Sequence, residues 1–217
     1  MADRNDRVLT LRCTGKVLKL LDRSAGRLTL ISAAASDHDW YINLIWLDRR
    51  KCLLMTHAGT LFSVLAVDVR QADLNQIGPL IVALIERELG AERLPIDTFG
   101  QLDPVGVQLA KTASRSVLGC MNDMALICKY AVIEARALAY CDIPALNRNL
   151  RRNINSARGY ARPIDLAAGW PRAQAEVCSD AVWHLTSCCS SPDEISAPHT
   201  SSPPCSLNRR TSLGPLR

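Results

Sequence analysis

The sequence lacks any long hydrophobic run, which is what a membrane-spanning helix requires. A span needs about 18 to 20 consecutive, mostly apolar residues, and no uninterrupted apolar stretch of this chain approaches that length. The first seven residues, MADRNDR, are charged where a secretory signal has an apolar segment. We therefore expect a cytoplasmic protein with no membrane association.

Paired CxxC cysteines are also absent, although the chain has nine cysteines. An odd number without compact spacing is not a disulfide framework, and structural zinc sites of the common type need paired cysteines. Cys13, Cys52, Cys120 and Cys128 fall inside apolar strand or helix patterns, where free cysteine behaves as a small buried hydrophobe. We predict reduced thiols in the core.

Clusters of metal ligands and phosphate loops are missing as well. His38 lies between Asp37 and Asp39, but the further His and Asp of a metal phosphohydrolase do not accompany it. No glycine-rich loop of the P-loop or dinucleotide type occurs. We therefore expect no metal and no cofactor.

Charge of one sign is not concentrated in the front of the chain. The net charge is +5, yet residues 151–217 hold eight arginines and five acidic residues, and the first 150 residues have 18 basic against 16 acidic side chains. Nucleic-acid binding usually needs a concentrated basic face. Such binding is not expected here unless the charged turn Arg49, Arg50 and Lys51 joins Lys16 and Lys19 in one patch.

Residues 151–217 differ from the rest in composition. They contain no lysine, seven of the eleven prolines, and only ten Leu, Ile, Val or Phe residues. A segment with so little apolar surface does not offset its ordering entropy. We predict one domain over 1–150 and a low-complexity, disordered tail over 151–217, whose composition also resembles a shifted reading frame in a GC-rich gene.

The apolar patterns of residues 8–132 alternate between strand and helix periods. Three consecutive apolar runs with short links predict an antiparallel meander. The predicted order β-α-β-β-β-α-β-α indicates an α+β domain, with one mostly antiparallel sheet of four to five strands and two to three helices on one face. The runs are VLTLRC, WYINLIWL, KCLLMT, TLFSVLAVDV and the segment from Val105 to Ala110, with Leu28 to Ile31 as a possible short addition.

The densest group of chemically capable side chains lies in Lys111 to Val132. Ser114 is a good N-cap, so a helix is predicted to begin near Arg115. Helical spacing then divides two faces. The face predicted to be core bears Leu118, Met121, Ala125, Cys128 and Val132, and the face predicted to be surface or site bears Arg115, Gly119, Asn122 and Lys129.

The stretch SRSVLGCMND within that segment resembles the NRSVLGSMND signature of a bacterial family of unknown function. Ser114 stands where that family usually has Asn, and Cys120 where it usually has Ser. The resemblance covers about residues 8–140, and GYARPID at 159–165 resembles the family's C-terminal end. It extends to LRCTGKVLKLL, DWYINLIWLDRRKCLLMTHAGTLFSVL and GVQLAKTASRSVLG. It implies no established activity.

The start of the predicted helix is the candidate ligand site. Free NH groups at a helix N-terminus, together with Lys111, Ser114 and Arg115, suit a phosphate or carboxylate. A capped helix with solvated cations is the simpler alternative. Asn122 and Asp123 either take part in binding or, if buried, clamp the helix to a neighbouring loop.

Asp123 and His57 are the candidate catalytic residues. A carboxylate and an imidazole can act as general base and acid near neutral pH, but one sequence does not place them together. Our leading hypothesis is a small non-enzymatic binding or regulatory module for a protein or an anionic ligand. The alternative is an enzyme that acts on a phosphate-bearing substrate through Asp123 and His57.

Overall fold

The computed structural model of the protein describes residues 8–25 and 29–170. The strands are β1 (Thr10–Cys13), β2 (Leu30–Ile31), β3 (Trp40–Leu47), β4 (Arg50–His57), β5 (Ser63–Ala66) and β6 (Gln108–Lys111). The helices are α1 (Gly15–Ala25), α2 (Gln71–Leu74), α3 (Ile77–Ala91), α4 (Arg115–Glu134), α5 (Ile143–Arg152) and α6 at residues 163–170. Single 3-10 turns at Leu138–Tyr140 and Ser156–Arg158 lie on either side of α5.

Most local elements agree with the sequence patterns. The predicted cap of α4 is confirmed, because the Ser114 hydroxyl accepts a hydrogen bond from the Val117 amide at 3.3 Å. The helical region that follows β5 is divided into the short α2 and the longer α3. At the start of α2, the Asp73 carboxylate accepts a hydrogen bond from the Arg70 amide at 2.8 Å.

The sheet has six strands in the order β2-β6-β1-β3-β4-β5. The predicted meander is confirmed, because β3, β4 and β5 are antiparallel neighbours. The expectation of four to five mostly antiparallel strands is corrected: β2, β6, β1 and β3 are all parallel to one another. A helical connection between two strands of one sheet commonly leaves them parallel, and such connections join β1 to β2 through α1 and β5 to β6 through α2 and α3.

Helices cover both faces of the sheet, which corrects the expectation of a single covered face. Trp40 and Ile42 of β3 pack in one core with residues of α1, α2 and α3. The alternate β3 residues Tyr41 and Ile45 pack in a second core with α4 and α5. Successive strand side chains point to opposite faces, so the nearly continuous apolar sequence of β3 reflects burial on both sides.

The outer edge of β5 is closed by side chains of α5. The Asn147 amide oxygen accepts from the Leu65 amide at 2.7 Å, and its nitrogen donates to the Leu65 carbonyl at 3.1 Å. One turn later, Arg151 donates to Glu88 at 2.8 Å and to Glu92 at 2.9 Å. This buried network joins α5 to α3 and to the edge strand.

The fold includes residues beyond the boundary expected at 150. Arg151 is fully buried, and Ala167 of α6 is buried in the core formed with α1 and α3. Composition averaged over 67 residues concealed the buried positions among these first 20. Residues 171–217, the rest of the predicted tail, lie outside the described residues.

In the described part of the chain, α4 alone is long and apolar enough to cross a membrane, by length and composition only. This differs from the expectation that no segment would qualify, because Asp123 and Lys129 interrupt the apolar run of α4 but leave its average hydropathy high. Its Met121, Ala125 and Cys128 are buried against the sheet and α5. Packing in the core accounts for the apolar residues of that face, which belong to the 39% of the segment that is buried.

Candidate functional site

Two helices begin next to each other at one edge of the sheet and then lie on opposite faces. The neighbouring parallel strands β1 and β6 end together, with Cys13 opposite Lys111. β1 continues into α1 on one face, and β6 continues into α4 on the other. In open sheets, ligands bind outside the carboxyl ends of the strands where the connections diverge in this way.

A groove of about 390 Å³ lies at this point between α1 and α4, and we call it the α1/α4 groove. Its volume falls in the range of about 300 to 1,000 Å³ that is usual for ligand sites. One wall is the last half of β3, and the others come from the two helices. The lining residues are Lys16, Asn43, Leu44, Ile45, Trp46, Asn122, Ala125, Leu126 and Lys129.

The α1/α4 groove has a positive electrostatic character. Lys16 and Lys129 are the charged residues of its lining, and no carboxylate is among the lining residues. The first turns of α1 and α4 both lie at this edge of the sheet, and a helix N-terminus carries a partial positive charge of about half an elementary charge. The groove therefore suits an anionic group.

Hydrogen bonds from β3 position the starts of both helices. The Thr14 amide donates to the Ile42 carbonyl at 3.0 Å, and the Thr14 hydroxyl contacts the Asn43 amide oxygen at 3.2 Å. The Ser114 amide donates to the Tyr41 hydroxyl at 3.0 Å. Three consecutive residues of β3 thus contact the two helix starts, and the last of them, Asn43, also lines the groove.

The buried side chain of Arg12 stabilises the same end of the sheet. Arg12 forms an ion pair with Asp39, and both side chains are almost fully buried. The Arg12 guanidinium also donates to the Lys111 carbonyl at 3.2 Å and to the Ala34 carbonyl at 2.6 Å. A buried charge needs such partners, and here they fix the end of β6 against the loop that follows β2.

The groove continues along α4 into a second depression of about 290 Å³, which shares Trp46 and Lys129 with it. This continuation is lined by apolar residues, by one acid and by two cations, the shared Lys129 and Arg136. Its acid, Asp48, accepts a hydrogen bond from the Leu138 amide at 3.2 Å. The two depressions together form an elongated surface beside β3.

Large apolar side chains are exposed along this elongated surface. Trp46 is 52% exposed, Leu126 49% and Ile133 68%. Trp40 and Tyr41, at the start of the same strand, are fully buried. A contiguous exposed apolar patch with a polar rim is typical of an interaction site.

The predicted ligand residues lie at or near the groove. Asn122 lines it directly. Lys111 and Arg115 are exposed at the ends of β6 and α4 that border it, and Ser114 is the cap between them. Arg115 shares one helical face with Asn122 and Lys129, as their spacing predicts.

Asn122 and Asp123 are exposed, so the condition for a buried clamp is not met. Asp123 lies on a different side of α4 from the groove. The pKa of the Cys120 thiol is raised first by burial and further by the charge of Asp123, which places this carboxylate near Cys120. Asp123 is not among the lining residues.

His57 lies on the other face of the sheet from α4. Its neighbour Thr56 contacts Met124 of α4, whereas the His57 ring packs on Phe99 with centroids 4.3 Å apart. Burial, together with the smaller effects of the charges of His38 and Arg158, lowers the pKa of the His57 imidazole to about 3. The structure does not bring Asp123 and His57 together.

Several residues of the groove could not be recognised from the sequence as partners. Lys16 was considered only as part of a nucleic-acid patch, and Asn43 was not singled out. Arg50 of the charged turn forms an ion pair with Asp68 at 2.9 Å. The sequence does contain one local signal for this site. Thr14 and Lys16 directly follow a short strand, and ligands of open sheets bind outside the carboxyl ends of the strands.

No group of three or more His, Cys, Asp or Glu side chains is arranged to hold a metal ion within residues 8–25 and 29–170.

No curated protein shows significant similarity to the chain. The model of a family described as a domain of unknown function, DUF6933, matches residues 10–166. The match spans the sheet, α1 to α5 and the α1/α4 groove, and on this basis the chain belongs to the DUF6933 family.

Proposed function

We propose that this protein is a small binding module that holds an anionic ligand in the α1/α4 groove. The observation that carries the proposal is the charge of the groove: its charged lining residues are Lys16 and Lys129, and it lies where two helices begin. An anion beside Lys16 gains from the first turn of α1, at about 0.3 to 1 kcal/mol for an exposed helix terminus, and from the charges of the two lysines.

Polar groups that can orient a ligand lie between the two lysines. Asn43 and Asn122 line the groove from opposite walls, on β3 and α4. Side-chain amides donate and accept hydrogen bonds, so they can contact a carboxylate or phosphate that the lysines attract. Lys111 and Arg115 add positive charge at the mouth and favour encounter with an anion.

The arrangement favours binding over catalysis. Of the two residues that the enzyme alternative requires, His57 is fully buried on the opposite face, and Asp123 is outside the groove lining. An acid–base pair must converge on an open pocket. His57 and Asp123 do not share a pocket, so the geometry does not support the enzyme alternative.

Finer proposals concern the family signature, the origin of the protein and its location in the cell. We propose that SRSVLGCMND is the form of the family signature in this chain, since it contains both the cap and Asn122 of the groove. We also retain a bacterial origin and a cytoplasmic location as part of the proposal.

The proposal is tested by titrating the full chain with inorganic phosphate, citrate and a glutamate-rich peptide at low ionic strength. Lys16→Gln and Lys129→Gln should each weaken binding by about 2- to 5-fold, the effect of about 0.5 to 1 kcal/mol from one exposed charge. Lys19→Gln is the matched control, because Lys19 is exposed on α1 and does not line the groove. Equal losses in all three variants, or no binding by the parent chain, would count against an anion site here.

A further inference from the structure

We propose that the anionic ligand is an extended acidic segment of a partner protein, which adds as a strand to the free edge of β3 in the α1/α4 groove. This inference rests on the proposed function of the groove. It adds the kind of ligand and the way in which the main chain of that ligand is recognised.

The register of the sheet identifies the free edge. β1 pairs with β3 only as far as Ile42, whose carbonyl accepts from the Thr14 amide at 3.0 Å. On the other side, the Ala58 amide donates to the Asp39 carbonyl at 2.8 Å. Backbone groups alternate between the two sides of a strand, so the odd-numbered residues of β3 face β4 and the even-numbered residues face β1.

Leu44 and Trp46 are the even-numbered residues beyond the end of β1. Their NH and CO groups therefore point into the space that β1 leaves when the chain turns into α1 at Gly15. No strand occupies that side of Leu44 and Trp46 among the described residues. A strand edge of this kind is a template for pairing with another extended chain.

The free edge forms a wall of the groove. Leu44, Ile45 and Trp46 all line it, and they face Ala125 and Leu126 across the gap. A chain placed between these walls would pair with β3 on one side and pack on α4 on the other. This is the arrangement by which peptides commonly add to a sheet, with main-chain hydrogen bonds for affinity and side-chain contacts for specificity.

The side chains around the edge select acidic and apolar residues. The cations of the elongated surface are Lys16, Lys129 and Arg136, whereas its acid, Asp48, already accepts a hydrogen bond. The exposed rings and alkyl groups of Trp46, Leu126 and Ile133 lie among them. An extended peptide alternates its side chains, so a sequence that alternates acidic and apolar residues matches this surface.

The probe for this inference is a six-residue peptide of alternating glutamate and valine, added to the full ¹⁵N-labelled chain. Binding should shift the amide resonances of Leu44 and Trp46 and slow their hydrogen exchange by at least about 10-fold, as hydrogen-bonded amides require. A lysine–valine peptide of the same length should bind at least about 10-fold more weakly, because it meets like charges.

Strand pairing is separated from side-chain recognition by N-methylation. Two further peptides carry methyl groups on all glutamate amides or on all valine amides, so that each loses the donors of one edge. One of them should bind at least about 10-fold more weakly, and the other should retain most of its affinity. Equal affinities of the two peptides would overturn strand addition.

The protein itself offers a matched pair of variants. Trp46→Pro removes an NH group from the free edge without removing one that faces β4, and proline is tolerated on such edges. Trp46→Ala removes the same indole and keeps the NH. Affinity for the glutamate–valine peptide should be lower for folded Trp46→Pro than for Trp46→Ala, and equal affinities would contradict the inference.

The remaining outcomes distinguish this inference from the proposed function. If phosphate binds and depends on Lys16 and Lys129, but the peptide does not protect Leu44 and Trp46, the groove is an anion site and strand addition is wrong. If neither probe binds, both proposals fail. If the chain alone forms a dimer that protects these amides, a second copy occupies the edge and the inference of a partner protein is overturned.

Discussion

The edges of β5 and β3 differ in whether their backbone NH and CO groups have hydrogen-bond partners. At β5, the Asn147 side chain accepts from the Leu65 amide and donates to the Leu65 carbonyl, and Arg151 lies beside it in the core. At β3, the edge beyond Ile42 borders a groove and has no strand beside it among the described residues. Unprotected edges invite association, so the contrast between the closed edge of β5 and the open part of β3 supports the proposal of an interaction site at β3.

The largest effect is expected from removing the arginine that holds the closed edge. Arg151→Ala leaves the Glu88 and Glu92 carboxylates buried without their shared partner. Breaking a buried ion pair from one side typically costs about 3 to 5 kcal/mol of unfolding free energy. Urea unfolding followed by circular dichroism measures the loss.

The matched variant is Arg152→Ala. Arg152 also contacts Glu92, but its side chain is 45% exposed, and an exposed pair contributes about 0 to 1 kcal/mol. A similar loss in both variants would show that burial of Arg151 is not what stabilises this edge.

A somewhat smaller loss is expected from opening the β5 edge itself. Asn147→Ala leaves the NH and CO groups of Leu65 without their partner, and removing one side of a buried hydrogen-bonded contact costs about 1 to 3 kcal/mol of unfolding free energy. The variant should also associate at high concentration, because a second free edge has been created. Chemical unfolding and sedimentation measure both effects, with exposed Asn149→Ala as the control.

The unfolding free energy should fall at acid pH because of the buried imidazole of His57. The pKa of His57 is lowered to about 3 from 6.5, first by burial, so the folded state keeps this imidazole neutral while the unfolded state binds a proton below pH 6.5. Stability is complete above pH 6.5 and falls at lower pH. The slope is about 1.4 kcal/mol per pH unit, or about 2 kcal/mol by pH 5.

Unfolding free energies measured between pH 7.5 and 5 check this slope. His57→Gln should be less stable at pH 7.5 and should lose most of the pH dependence in this range. An unchanged slope in the variant would assign the titration to another group.

The smallest effect on stability is expected at the open edge. Trp46 is half exposed, and surface substitutions of this kind usually change unfolding free energy by no more than about 0.5 kcal/mol. Trp46→Glu should therefore leave stability nearly unchanged while it removes the apolar contact and adds a negative charge that repels an acidic segment. Thermal unfolding together with peptide titration separates the two effects, and a large stability loss would mean that this edge is structural.

Elements with a complete local pattern could be predicted from the sequence. The β3-β4-β5 meander follows from three apolar runs with short links, and α4 follows from the Ser114 cap and its two faces. The parallel pairing of β1 with β6 could not be predicted. Thr10 and Gln108 face each other across 98 positions of sequence, and strands of four residues carry too few alternations to show which faces are buried.

The candidate site could be predicted only where it depends on one element. Asn122, Lys129 and Arg115 were assigned to a shared face because α4 alone determines it. Lys16 and Asn43 come from α1 and β3, so their approach to α4 depends on the sheet order. The pairing of Asp123 with His57 rested on chemical type, and type does not determine which face of a sheet a residue occupies.

Asn147 shows what the sheet accepts in place of a strand. One primary carboxamide makes both hydrogen bonds to Leu65, which are the two that a single residue of a neighbouring strand would make. A small molecule with a primary amide is therefore a minimal mimic of a strand for this sheet. Joined to a carboxylate for Lys16 or Lys129, such an amide defines the simplest compound with which to search for ligands of the β3 edge.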